Sequence, residues 1–192
     1  MKLETVGGRP DRVTPAMAFR QALINFVEQP RLDMIQLAEE LEISEATLHS
    51  WTGSREQLLA DVLTYYSDIA FDQAARDTAD QEGLDRVVSI GRIYIGLVVT
   101  FEPLRIFFRN ESTLALRILT ERGGTVESGV VERITEVLRY EQDEHGMVLR
   151  APADVLANAM TRTIEGFIYN DPLADIEPEV DQAVVILQLL LE

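Results

Sequence analysis

The chain has 192 residues, 46% hydrophobic and 26% charged, with a formal net charge of −16. That composition belongs to a globular chain long enough to bury a sizeable core, and it excludes extended disorder. Cysteine is absent, which excludes disulfides, thiol catalysis and zinc–thiolate sites.

The first fifteen residues, MKLETVGGRPDRVTP, hold no apolar run and do not resemble a secretory leader. The most apolar segment, Ile93 to Phe101, is far shorter than the ~20 residues that span a bilayer. A cytoplasmic location is therefore expected. The acid is unevenly spread. Residues 1–60 hold six basic and nine acidic side chains, a net −3, and the remainder carries −13.

Thr14-Pro15 reads as an N-cap and a proline at the first helical position. The spacing predicts a helix to about Val27, ended by Gln29-Pro30. Asp33 caps a second helix, Met34 to Leu41, with Met34, Leu37, Ala38 and Leu41 on its apolar face. Ser44 caps a short third helix, Glu45 to Trp51, and Thr52-Gly53 breaks it. Ser54 and Gln57 form a capping box that opens a long fourth helix, to about Thr78.

The segment Leu84 to Val99 is apolar on almost every side, as expected of a helix enclosed by others. Glu102-Pro103 opens a helix through Phe108, and Ser112 to Thr120 adds another turn or two. After Gly123-Gly124, the stripe Val126, Val130, Val131, Ile134, Val137, Leu138 predicts a helix stopped by Gly146. Pro152 opens the next, reaching about Asn170, and Pro178 opens the last, ending at Leu191. No strand pattern, internal repeat or low-complexity stretch is present. The expected fold class is all-α. Residues 1–60 form an N-terminal three-helix unit, and a long helix joins it to a larger helical domain over residues 61–192.

Two short helices joined by a tight turn are the shape that places one helix in the DNA major groove. In Ser44 to Trp51, Leu48 faces inward, while Glu45, Ala46, Thr47, His49 and Ser50 face outward. Hydroxyls and imidazole bond to base edges or phosphates, and alanine or the threonine methyl meets a thymine methyl. Arg55, at the start of the fourth helix, suits a phosphate anchor. With Thr14 and Ser44 these residues are the candidate DNA contacts. The same segment also reads as an ordinary packed surface helix.

The run LAEELEISEATLHSWTGSREQLL resembles the N-terminal motif of TetR-type transcriptional regulators. The matching positions are Leu37-Ala38, Glu42-Ile43-Ser44, Thr47-Leu48-His49 and Ser54-Arg55-Glu56. The resemblance implies a DNA-binding regulator with a helical ligand-binding and dimerisation domain. Three positions depart from the family pattern. Glu42 stands where glycine is usual, His49 where tyrosine commonly touches phosphate, and Asp33 where threonine often caps. A left-handed turn at Glu42 would cost about 1 kcal/mol. The strings FEPLRIFFRNESTLALRILTERGG and MTRTIEGFIYNDPLADIEPEVDQAVVILQLLL resemble one branch of that family, associated with degradation of quorum-sensing lactones.

For the ligand cavity, the candidate aromatic walls are Tyr65, Tyr66, Tyr94, Phe101, Phe107 and Phe108. The candidate polar anchors are Arg92, Asn158 and Arg162, with Arg92 foremost because a charge inside an apolar helix needs a partner. The closing helix is apolar enough to expose a large patch on a monomer. Leu156, Ala159, Ile164 and Phe167, with Ala183, Val184, Leu187 and Leu190, are the expected seam of a homodimer.

The expected function is a ligand-responsive repressor that binds palindromic double-stranded DNA as a dimer and is released by a small apolar or lactone-like effector. The alternative is a helical ligand-binding or protein-interaction module with little DNA affinity. An enzyme is not expected: His49 and His145 are the only histidines and no phosphate-cradling glycine loop is present. Asp143-Glu144-His145 reads as a solvated helix end beside Gly146, not as a metal site. No cofactor is expected.

Overall fold

The computed structural model describes residues 13–170 and 179–192. Every regular element among them is helical: α1 (Pro15–Glu28), α2 (Met34–Glu40), α3 (Glu45–Thr52), α4 (Arg55–Asp77), α5 (Gly83–Thr100), α6 (Glu102–Asn110), α7 (Ser112–Thr120), α8 (Thr125–His145), α9 (Ala153–Glu165), a π-helical turn (Gly166–Asn170) and α10 (Val180–Leu191). The expected start of the last helix at Pro178 lies outside the described residues. The chain divides into two compact units, Met1–Leu58 and Leu59–Glu192.

In the smaller unit, α1 packs on α2 and α3 around Ala18, Ala22, Phe26, Leu37, Ala38 and Leu48, all buried. Local chemistry sets each boundary. Thr14 accepts from the Met17 N–H at 3.3 Å, and Asp33 accepts from the Ile35 and Gln36 N–H groups at 2.9 and 3.2 Å. Helix α2 ends in a Schellman motif: Ile43 N–H donates to Ala38 O and Glu42 N–H to Glu39 O, both at 3.0 Å. That motif needs a left-handed residue, and Glu42 supplies it at φ 53°.

Ser44 caps α3 by accepting from the Thr47 N–H at 3.1 Å. Gly53 then ends it at φ 71°, where a Cβ would meet Gln57 Oε1 at 2.1 Å. Only glycine fits, because that Gln57 oxygen accepts from the Ser54 N–H at 2.8 Å while Ser54 Oγ accepts from the Gln57 N–H at 3.2 Å.

In the larger unit, α10 packs on α5 and α9, and α8 packs on α9 and α5. Gly91 lets α10 approach: a Cβ there would sit 3.0 Å from Leu187 Cδ1. Helix α5 is not enclosed all round. It buries Val87, Ile90, Tyr94 and Ile95 on one face, while Leu97 is 38% exposed. Its length is apolar because one flank meets the core and part of the other meets a cavity.

A buried carboxylate ties the start of α5 to the end of α8. Glu141, fully buried, accepts from the Gly83 N–H, Arg86 Nη1 and the His145 ring, each at 2.7 Å. Burial alone would raise its carboxyl, but these hydrogen bonds hold it below the usual carboxylate range. No single helix among the described residues is long and apolar enough to cross a membrane. Helices α5 and α6 reach that length only together, and they meet at a 58° bend.

Candidate functional site

Helix α3 carries two opposed faces. Leu48 is fully buried against α1, while Glu45, Ala46, His49 and Ser50 are exposed. Thr47 is half-buried; its hydroxyl lies 2.8 Å from Ser44 Oγ, and Ser50 Oγ donates to Thr47 O at 2.7 Å. The hydroxyls of Ser44, Thr47 and Ser50 are therefore partly occupied by their own helix, whereas His49 projects free of the core. Trp51 is half-buried.

Thr14 is exposed at the start of α1. Arg55 is half-buried, and its Nε donates to Leu32 O at 2.6 Å, fastening the loop after α1 to the start of α4. The charge of this surface is unusual for contact with phosphates. Residues 13–58 hold three arginines against seven carboxylates.

The larger unit contains a cavity of about 240 Å³. Helix α4 contributes Leu63, Tyr66, Ser67, Ile69, Ala70 and Gln73, and α5 contributes Tyr94, Leu97 and Val98. Phe101, Leu104, Leu119, Val126 and Tyr169 complete the wall. Tyr94 stacks on Phe71 with ring centroids 4.0 Å apart, and its hydroxyl lies 3.0 Å from Ser67 Oγ. Burial pushes the Tyr94 phenol up to about 12.

Of the nine residues the sequence suggests for this cavity, Tyr66, Tyr94 and Phe101 line it. The other six do not. Tyr65 points outward at 42% exposure, while Phe107 is buried in the core and Phe108 stacks on Tyr169 from behind. Arg92 is half-exposed and pairs with Asp181 at the start of α10, so the expectation of an enclosed charge is corrected. Asn158 is exposed and donates to Asp154 O at 2.7 Å. Arg162 is engaged by Glu127 at 2.6 Å and Glu165 at 2.7 Å.

Ser67, Gln73 and Tyr169 carry no clear signal in the sequence. Asp154, Asn158, Arg162 and Glu165 read as a polar stripe along α9, and Tyr169 continues it if that helix stays regular. The π-helical turn takes more residues per turn than an α-helix, which shifts Tyr169 out of phase with that stripe, and Tyr169 lines the cavity.

The proposed dimer residues also sit differently. Leu156, Ile164, Ala183, Val184 and Leu187 are buried within the protomer, and Ala159, Phe167 and Leu190 are half-buried. The outer faces of α9 and α10 instead expose Val155, Val185, Ile186 and Leu189.

Residues 82–192 match the family model described as "Tetracyclin repressor-like, C-terminal domain". The chain belongs to the TetR family. Members of that family are non-enzymatic transcriptional regulators that bind double-stranded operator DNA and small-molecule effectors and act as homodimers. Among solved structures, this TetR-family chain resembles the R. erythropolis transcriptional repressor QsdR. The TM-score is 0.84 at 24% identity, over 92% of this chain and 93% of that one. It also matches the regulator PfmR from Thermus thermophilus with a TM-score of 0.46 at 16% identity, over 91% of this chain and 96% of that one. No curated protein sequence matches the chain. Ten helices without a strand among the described residues, with a small reader unit first, agree with the family fold.

Proposed function

We propose that this TetR-family regulator is a cytoplasmic repressor that holds a palindromic operator as a homodimer and releases it on binding a small apolar or lactone-like effector. The observation that carries the reading is that α4 supplies six wall residues of the cavity and begins immediately after the outward-facing helix α3. Filling the cavity displaces α4, and the spacing of two recognition helices departs from the ~34 Å of one DNA turn. An effector achieves this only through unequal affinity for the two arrangements.

Ala46, His49 and Ser50 are proposed to meet base edges, with Thr14, Ser44 and Thr47 nearer the phosphates. Glu45 is proposed to accept from a cytosine amino group, and Arg55 to support the helix start against the backbone. The proposed dimer seam is the outer face of α9 and α10, where Val155, Val185, Ile186 and Leu189 are apolar and exposed. Mobility shift against DNA upstream of the protein's own gene tests the reading. Binding that is specific, two chains per site, supports it; indifference to sequence opposes it.

One observation favours a second reading, a ligand-binding module with little DNA affinity: the excess of carboxylates over arginines in residues 13–58. Absence of a shifted band even at low salt would favour that reading over the first.

A further inference from the structure

The walls of the cavity carry hydroxyl donors and no cation. Ser67 and Tyr94 place their oxygens 3.0 Å apart. Together they hold two O–H groups, and the bond between them uses one. The second has no acceptor among the described residues, and neither has the phenol of Tyr169. No lysine, arginine or histidine lines the cavity among the described residues.

A carboxylate lies near both phenols. Glu165 lies one turn before Tyr169, and its Oε1 is buried with no hydrogen-bond partner. Burial raises both phenols, and the Glu165 charge adds to the rise at each. A field that disfavours a phenolate there disfavours a bound carboxylate for the same reason. The nearby guanidinium of Arg162 is taken by Glu127 and Glu165.

We propose that this cavity selects an uncharged, apolar molecule bearing a carbonyl or ester oxygen, which accepts from the Ser67–Tyr94 pair and Tyr169, and that it rejects the ionised form of the same chain. The proposal rests on the cavity being the effector site. A volume of about 240 Å³ holds on the order of ten non-hydrogen atoms at interior packing density. A carboxylate would enter without a counter-charge, and an ammonium would enter without a lining carboxylate. The regulator would thereby distinguish an intact ester from its hydrolysis product, a difference of one charge on one skeleton.

The test is calorimetric titration of the full chain at pH 7.5 with decan-4-olide, decanoate and decyltrimethylammonium. The expected result is binding of the lactone, with both ions weaker by about 30-fold or more. Tyr94→Phe should weaken the lactone about 3- to 10-fold. The cavity-filling variants Ala70→Phe and, at a half-exposed position less demanding of the core, Leu97→Phe should abolish it. Equal or tighter binding of either ion, lost in the filled variants, overturns the selectivity while leaving the cavity as the effector site. Binding indifferent to both filled variants, or no binding by any probe, removes the effector site and the proposal with it.

Discussion

Arg133 of α8 pairs with Asp72 of α4, on the side of α4 opposite the residues that line the cavity. The same guanidinium lies 4.0 Å from Asp68, 3.5 Å from Glu136, and 6.0 Å from the ring centre of Phe71. Phe71 in turn stacks on Tyr94. The back of α4 is thus tethered to α8 where its front meets the cavity.

This tether predicts a separation of effects. Arg133 is about one-third exposed, so Arg133→Ala should lower stability by less than about 1 kcal/mol. Effector affinity should change less than about twofold, because Arg133 does not line the cavity. The effector's influence on operator affinity should shrink, because α4 is no longer held against α8. Calorimetry for the ligand and anisotropy for DNA measure the two effects independently.

Exposed and buried positions of α3 should behave oppositely. His49→Ala should weaken operator binding by about 1–3 kcal/mol without moving the melting temperature. Leu48→Ala, at a fully buried site, should destabilise the small unit by about 2–5 kcal/mol. Thermal melts beside operator titrations separate the two.

Glu42 offers a gain of stability. Its φ of 53° favours glycine, so Glu42→Gly should relieve about 1 kcal/mol of strain, partly offset by the flexibility glycine adds to the unfolded chain. It also removes a negative charge three residues before the first residue of α3, and non-specific DNA affinity should rise. Glu42→Asn, which tolerates the left-handed region, should reproduce the charge effect with most of the conformational relief. Denaturant midpoints and binding to random-sequence DNA check both.

Glu141 predicts an acid-sensitive fold. Its pKa lies lower in the folded than in the unfolded chain, so its contribution is present above about pH 4.3 and is lost as pH falls through the folded value. Glu141→Gln should cost about 3 kcal/mol at pH 7, because Arg86 is left in a largely buried position without its counter-charge. That difference from the wild type should narrow below pH 4, as urea melts across pH would record.

The outer face of α10 predicts a change of assembly. Leu189→Asp, at a site 61% exposed, should give folded monomers, whereas Leu187→Ala, fully buried, should destabilise the protomer. Light scattering with circular dichroism distinguishes the outcomes.

The boundaries of the helices are legible in the sequence because their causes are local. Thr14, Asp33, Ser44 and the Ser54–Gln57 pair cap helices within three residues of themselves, and no tertiary partner is needed. The cavity is less legible. Arg92 stands out in an apolar sequence, yet its neighbours place it on the outer flank of α5 beside Asp181. Tyr169 sits in what reads as a polar stripe until the π-helical turn changes its phase. The apolar stripes of α9 and α10 signal burial correctly. Periodicity cannot tell a partner within the chain from a second copy, and Leu156, Ile164, Ala183 and Leu187 are covered from within.

The central claim is that α3 reads DNA under control of the cavity bordered by α4. The most direct measurement is fluorescence anisotropy of a labelled upstream fragment titrated with the protein, with and without saturating decan-4-olide, across a salt series. Specific binding by two chains per site that falls at least tenfold with the lactone, and is weaker by about 1–3 kcal/mol in His49→Ala, is the predicted result. Identical affinity with and without a lactone that calorimetry shows to be bound in the cavity would contradict it.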